Sequence, residues 1–175
     1  MMLLFLNQTD INNIIRGCEH QYATDPSEIA GMIAAYAEVR SASKYPGTSP
    51  ASARMDRDPV EWILQLANLV EPMTQGKFRS GPDTFWSVDT GTWDPINDSL
   101  APELIPRAIE NLFYAAIAMR VSADEFYQEF ETIHPFIDGN GRLGNILWRL
   151  FNSFEIGDTK AWELESPPPY IKKEK

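Results

Sequence analysis

The run His134-Pro135-Phe136-Ile137-Asp138-Gly139-Asn140-Gly141-Arg142 puts the tools of phosphate chemistry into one short loop. His134 is a candidate general base, with an unperturbed pKa near ~6.5. Gly139 and Gly141 permit backbone conformations that other residues resist, and let a ligand approach the main chain. Their amides, with that of Asn140, would head the helix that follows, where the helix dipole adds partial positive charge. Arg142 supplies a permanent cation whose planar donor fork suits phosphate. Asp138 stands beside these donors and would repel a phosphate unless a cation came between them. Mg²⁺ resolves that conflict, because it is commonly held by one or two carboxylates plus phosphate oxygens.

Helices must position this loop. Before it, Ser122-Ala123-Asp124-Glu125 forms a capping box, and Phe126, Phe130 and Ile133 recur on one side up to His134. After it, Leu143, Ile146, Leu147, Leu150 and Phe151 carry a helix from Leu143 to Phe154, with Trp148 also in the core. Asp25-Pro26-Ser27-Glu28 opens a helix over about Pro26 to Ala42, and Asp58-Pro59-Val60-Glu61 opens another with Ile63, Leu66, Ala67 and Val70 on one face. Pro102 to Arg120 is helical through Leu104, Ile105, Ile109, Leu112, Phe113 and Ala116. Lys44 to Arg57 reads as a loop. Between Gly76 and Trp93, apolar residues interrupted by Ser80-Gly81-Pro82-Asp83 predict a β-hairpin. The expected fold is mostly α, a helical bundle with one β-hairpin flap.

Gly139, Gly141 and Gly144 also fit G-x-G-x-x-G. A dinucleotide site needs a strand before that pattern and a βαβ unit around it, and here the preceding segment is helical.

At 175 residues the chain suits one domain by a prior of about 150 residues each. Residues 58–154 would be its core, 1–57 a helical N-terminal extension, and 166–175 a disordered tail rich in proline and lysine. The net charge is -10 and the pI about 4.6, which argues against a nucleic-acid partner. The start, Met1-Met2-Leu3-Leu4-Phe5-Leu6, is too short for a signal-peptide core and reads as a strand or the packing edge of the first helix. No stretch approaches the ~20 apolar residues of a membrane span. Cys18 is the lone cysteine, so a reducing compartment, the cytoplasm, is expected. Delivery into another cell by a route without a signal stays open. His20 has no metal-ligand spacing and reads as structural or exposed.

The run His134 to Arg142 closely resembles the signature of Fic-domain proteins, H-x-F-x-[DE]-G-N-G-R-x-x-R. The resemblance extends over roughly Asp58 to Phe154, including Gly76-Lys77-Phe78-Arg79 at the start of a target-docking flap. It implies an enzyme that moves AMP from ATP onto a Ser, Thr or Tyr hydroxyl of a target protein. By that resemblance His134 takes the hydroxyl proton, Asp138 holds Mg²⁺ against the phosphates, and Gly139, Asn140, Gly141 and Arg142 form the anion hole. Phe136 would be structural. A flap with Phe78, Arg79, Phe85, Trp86 and Val88 would pair with an extended target segment.

The chain departs from the pattern at the second arginine, which is Asn145. In the family that arginine binds the γ-phosphate in the AMP-transfer orientation. Arg149, one turn further along the same face, is a candidate replacement. Doc toxins lack that arginine and transfer phosphate, but their loops differ at the Gly-Asn-Gly stretch that is intact here. Transfer of phosphate or of another nucleotide group is therefore the alternative expectation, and a nucleotide-binding module without turnover is a third. The family's inhibitory [ST]-x-x-x-E-[GN] helix has no full match. Thr24 to Glu28 has the spacing but is followed by Ile29 and reads as a helix cap. Control would then be absent or supplied by a separate inhibitory, antitoxin-like protein.

Overall fold

The computed structural model describes residues 6–20, 23, 25–43, 58–81, 100–164 and 167. These form seven α-helices: α1 (Gln8–His20), α2 (Pro26–Ser43), α3 (Pro59–Val70), α4 (Ile105–Ile117), α5 (Ala123–Ile133), α6 (Asn140–Glu155) and α7 (Asp158–Glu163). Short 3-10 turns at Pro72–Thr74 and Pro102–Leu104 follow α3 and precede α4. The mostly helical expectation holds. Most of the expected hairpin, with Phe85, Trp86 and Val88, lies outside the described residues, as do the apolar start to Phe5, the whole 44–57 loop and nearly all of the tail. The side chain of His20 lies outside them too.

Local chemistry explains where the helices begin and end. Asp58 caps α3, its Oδ1 accepting from the Val60 amide at 2.8 Å with Pro59 at the first helical position. The capping box of α5 forms as expected, with Ser122 Oγ accepting from the Glu125 amide and Glu125 Oε2 accepting from the Ser122 amide. The Pro102–Arg120 segment divides, because its first turn is 3-10 and α4 stops at Ile117. Met119, in the left-handed region at φ 53°, reverses the chain there, and the Arg120 amide donates back to the Ala115 carbonyl.

α6 is the axis of the bundle. It packs against α5, α7, α2 and α3, and only a few of its side chains reach solvent. One apolar core runs from Ile14 in α1 to Trp162 in α7. Its centre is a set of rings: Phe126 lies 4.3 Å from Phe151 and 5.4 Å from Phe113, measured between centroids. Such ring pairs add about 0.5–1.5 kcal/mol each beyond the area they bury. α7 was not expected from the sequence. Trp162 fixes it, edge-on to Tyr36 of α2 at 4.9 Å and under the Arg40 guanidinium at 4.8 Å.

Gly144 sits where α6 passes closest to α5. A Cβ there would stand 3.0 Å from Glu131 Oε1 and 3.2 Å from both Phe130 and Tyr127. The third glycine of the G-x-G-x-x-G pattern therefore serves helix packing, consistent with the absence of a dinucleotide motif.

Candidate active site

The site lies where α5 ends and α6 begins. His134 terminates α5 as its C-cap residue, in the left-handed region at φ 45°, with its amide still donating to the Phe130 carbonyl. Histidine tolerates that conformation better than most side chains. The chain then turns through Pro135 to Asp138 and re-enters helix at Asn140. Gly139, at φ 76°, is the N-cap of α6, whose first residue, Asn140, comes three residues before the Leu143 start read from the sequence.

The turn is closed by a side chain. Asn140 Oδ1 accepts from the Phe136 amide at 3.0 Å, and Asn140 Nδ2 donates to the Phe136 carbonyl at 2.8 Å. Both groups are buried, so the asparagine satisfies a donor and an acceptor that have no helix or sheet partner. The side chain is thus spent on the loop, which leaves the backbone amide as the group Asn140 could offer an anion. Phe136 is buried and stacks on Phe78 at 5.4 Å, which pins the loop to the segment after α3.

Arg79 joins the same two segments. Its Nε donates to the His134 carbonyl (2.7 Å), Nη2 to the Ile133 and Leu100 carbonyls (3.2 and 2.8 Å), and Nη1 to the Gly81 carbonyl (2.8 Å). Its amide donates to the Pro135 carbonyl. Arg79 is buried, so the geometry gives it an interior role, fixing the end of α5. The outward, target-facing role expected for it is not what its guanidinium performs in this structure.

His134 is mostly buried, and Nδ1 faces Oε2 of Glu131 at 3.9 Å. Desolvation first, and then the Arg79 guanidinium, push the imidazole pKa down to about 3, against a hydrogen bond with the Glu131 backbone that raises it. The ring is therefore neutral at ordinary pH, the form that can accept a proton.

Asp138 is exposed, and its Oδ1 accepts from the Gly139 amide at 2.6 Å. One carboxylate oxygen is thus held by the loop. Among the described residues no group of three or more His, Cys, Asp or Glu side chains is arranged to hold a metal. A lone exposed carboxylate fits Mg²⁺ only together with the phosphate oxygens of a bound ligand.

Arg142 does not face outward. It is buried, with Nη2 2.8 Å from Glu71 Oε2, and Nη1 donating to the Val70 carbonyl at 3.2 Å and reaching Glu28 Oε1 at 3.4 Å. Glu71, at the end of α3, is the residue that sequence reasoning missed. Its Oε1 caps the following turn by accepting from the Met73 amide, and a Cβ on Gly139 would meet its own Cβ at 2.8 Å. The carboxylate at 71 therefore backs the loop that needs glycine at 139. Glu28 does two jobs, since Oε2 accepts from the Asp25 amide while Oε1 reaches Arg142. The cap read from the sequence is present, and it is not the whole of the residue's role.

Asn145 is half-buried on the face of α6 that begins at Gly141. Arg149 is buried one turn on, donating from Nε to Asn145 Oδ1 at 3.1 Å and from Nη1 to the Leu164 carbonyl.

The family model described as Fic/DOC family matches residues 59–151, just over half of the chain. The chain belongs to the Fic/Doc family. The match runs from the first residue of α3 into α6 and so contains Glu71, Arg79 and the whole His134–Arg142 loop, while Glu28 lies before it. No curated protein matched the chain. Among the described residues no helix is long and apolar enough to cross a membrane.

Proposed function

We propose that this Fic/Doc protein transfers AMP from ATP to a Ser, Thr or Tyr hydroxyl of a target protein. One observation carries the reading: a neutral, buried histidine ends one helix, the next helix begins at an αL glycine, and an exposed carboxylate lies between them. Acceptor, anion cradle and cation ligand are thereby set in the order a nucleotidyl transfer needs.

The hydroxyl oxygen of the target bonds to the α-phosphorus as the bond from that phosphorus to the pyrophosphate oxygen breaks. The hydroxyl proton passes to the neutral His134 imidazole, and pyrophosphate leaves with the bonding electron pair. The amides that head α6 hold phosphate oxygens, aided by the helix dipole. Asp138 would hold Mg²⁺ together with those oxygens, and the ion would supply neutralising charge there. The Glu131 backbone orients the imidazole, and Arg79 fixes the helix end that carries it. An extended target segment docks along about Phe78 to Val88 by strand addition, with Phe85, Trp86 and Val88 among its contacts. The buried thiol of Cys18 suits a reducing compartment such as the cytoplasm.

Asn145 favours a second reading, in which the nucleotide lies the other way round and phosphate is transferred. Intact-mass spectrometry of the purified chain after incubation with ATP and Mg²⁺ separates the two. His134→Asn is the control, because asparagine accepts the αL backbone. A gain of one AMP, lost in the variant, is expected. A gain of one phosphate moves the assignment to the reversed orientation. Nucleotide binding with no transfer to the chain or to any protein in a lysate would reduce the protein to a binding module.

A further inference from the structure

Glu131 stands one turn before His134 on α5, and its side chain is turned inward. The residue is 6% exposed, and its Oε2 lies 3.9 Å from His134 Nδ1. α6 makes the room for this carboxylate. At Gly144 the two helices pass so closely that a Cβ would stand 3.0 Å from Glu131 Oε1. The neighbouring Tyr127 registers the charge, since burial first and then Glu131 push its phenol pKa up. The rest of that face of α5, Phe126, Phe130 and Ile133, is apolar and buried. Acidic side chains are almost never buried unless paired, and an apolar side chain would serve packing at this crossing as well.

The imidazole is the group that needs a carboxylate. Burial first, and then the Arg79 guanidinium, hold its pKa down to about 3. That keeps the ring neutral and able to accept a proton, and it also makes the protonated ring costly. The hydrogen bond with the Glu131 backbone offsets only part of this cost. A separation of 3.9 Å is longer than a hydrogen bond. Once the ring takes a proton, both of its nitrogens carry hydrogen. Nδ1 is then a donor facing the carboxylate, and the contact can tighten into a charge-assisted bond.

We propose that Glu131 is a positioning residue that aims the His134 imidazole and stabilises its protonated form as the target hydroxyl gives up its proton. This rests on the transfer reading above and adds the device by which a buried histidine serves as a base. The proton moves from the hydroxyl oxygen to the imidazole and stays there. Glu131 receives no proton and touches neither nucleotide nor target.

The experiment is an intact-mass time course of the full chain with Mg²⁺ and a series of ATP concentrations, alongside thermal denaturation. A gain of AMP or of phosphate serves equally, and labelled ATP with a cell lysate is used where the chain is not its own acceptor. Glu131→Gln keeps the shape and removes the charge. The rate at saturating ATP should fall roughly ten- to hundredfold, the worth of a hydrogen bond to a charged group. The ATP concentration that gives half of that rate should not move. The melting temperature should hold or rise, because a charge leaves the interior. Glu131→Asp, with the charge on a shorter arm, should recover part of the rate.

A folded Glu131→Gln that transfers at the wild-type rate overturns the proposal. So does a fall in rate that comes with a lower melting temperature or a higher ATP requirement, the mark of a structural residue. Should Glu131→Gln not fold, Glu131→Met is read in its place, and failure of both to fold also overturns the proposal. A wild type that transfers neither group, to itself or to lysate protein, overturns this inference and the transfer reading together. Transfer that is indifferent to Glu131 overturns this one alone.

Discussion

Nη2 of Arg142 stands 2.8 Å from Oε2 of Glu71 in the protein interior, so the cation at the start of α6 is neutralised before any ligand arrives. Both side chains are nearly inaccessible, at 4% and 6%. The pair joins residues 71 positions apart and ties the end of α3 to the first turn of α6. Removing one partner of a buried pair leaves an uncompensated charge, which costs about 3–5 kcal/mol. Glu71→Ala should lose stability of that order in urea denaturation. A loss below about 1 kcal/mol would show that Arg142 relaxes to water and that the pair is not structural.

Glu28 is the looser partner of Arg142, at 3.4 Å and with its side chain 25% exposed. Glu28→Gln keeps the capping geometry, because glutamine serves equally at that position of the box, and it removes a negative charge from beside the cradle. ATP affinity should rise about two- to fivefold, in line with the ~0.2–1 kcal/mol of a partly exposed pair. Melting temperature should hardly change. Unchanged or weaker ATP binding, read by calorimetric titration, would mean that Glu28 does not compete with phosphate.

His134 makes stability depend on pH with a definite sign. Its folded pKa is about 3, against ~6.5 in the unfolded chain. Between those values the unfolded state binds a proton that the folded state does not. The stability tied to this residue is therefore complete above about pH 6.5 and is lost as pH falls from there toward 3. The wild type should lose more melting temperature than His134→Asn between about pH 7.5 and about pH 5.5. Equal losses would place the imidazole in water.

Asn140→Ala strips two buried backbone groups of Phe136 of their partners. Each unsatisfied group costs about 1–3 kcal/mol. Thermal denaturation should show a fall of that order, and ATP binding should weaken with it because the cradle is built on the same turn. A variant as stable as the wild type would show that the loop holds its shape through Phe136 packing alone.

Much of this was legible in the sequence. α3 and α5 announce themselves by Asp58-Pro59 and by Ser122 with Glu125, and their apolar residues keep a helical period. The His134–Arg142 run pointed to the site through residue types that make little sense as packing. What sequence could not show was long-range pairing. Nothing near Glu71 marks it as the partner of Arg142, and Glu28 reads as a cap because the cap is local while its other contact lies 114 positions away. Arg79 looked like a surface residue of a docking segment, since burial of a guanidinium depends on carbonyls brought in from Ile133, His134 and Leu100. α7 escaped notice because it is short, and Trp162 alone supplies most of its reason to be there.

Arg79 also accepts no choice about where its neighbours begin and end. Its guanidinium donates to the carbonyl of Gly81 and to that of Leu100 while gripping the end of α5. The chain between them therefore leaves and returns at a single side chain. Residues 81 and 100 are thus held by one guanidinium, the same one that grips the carbonyl of His134.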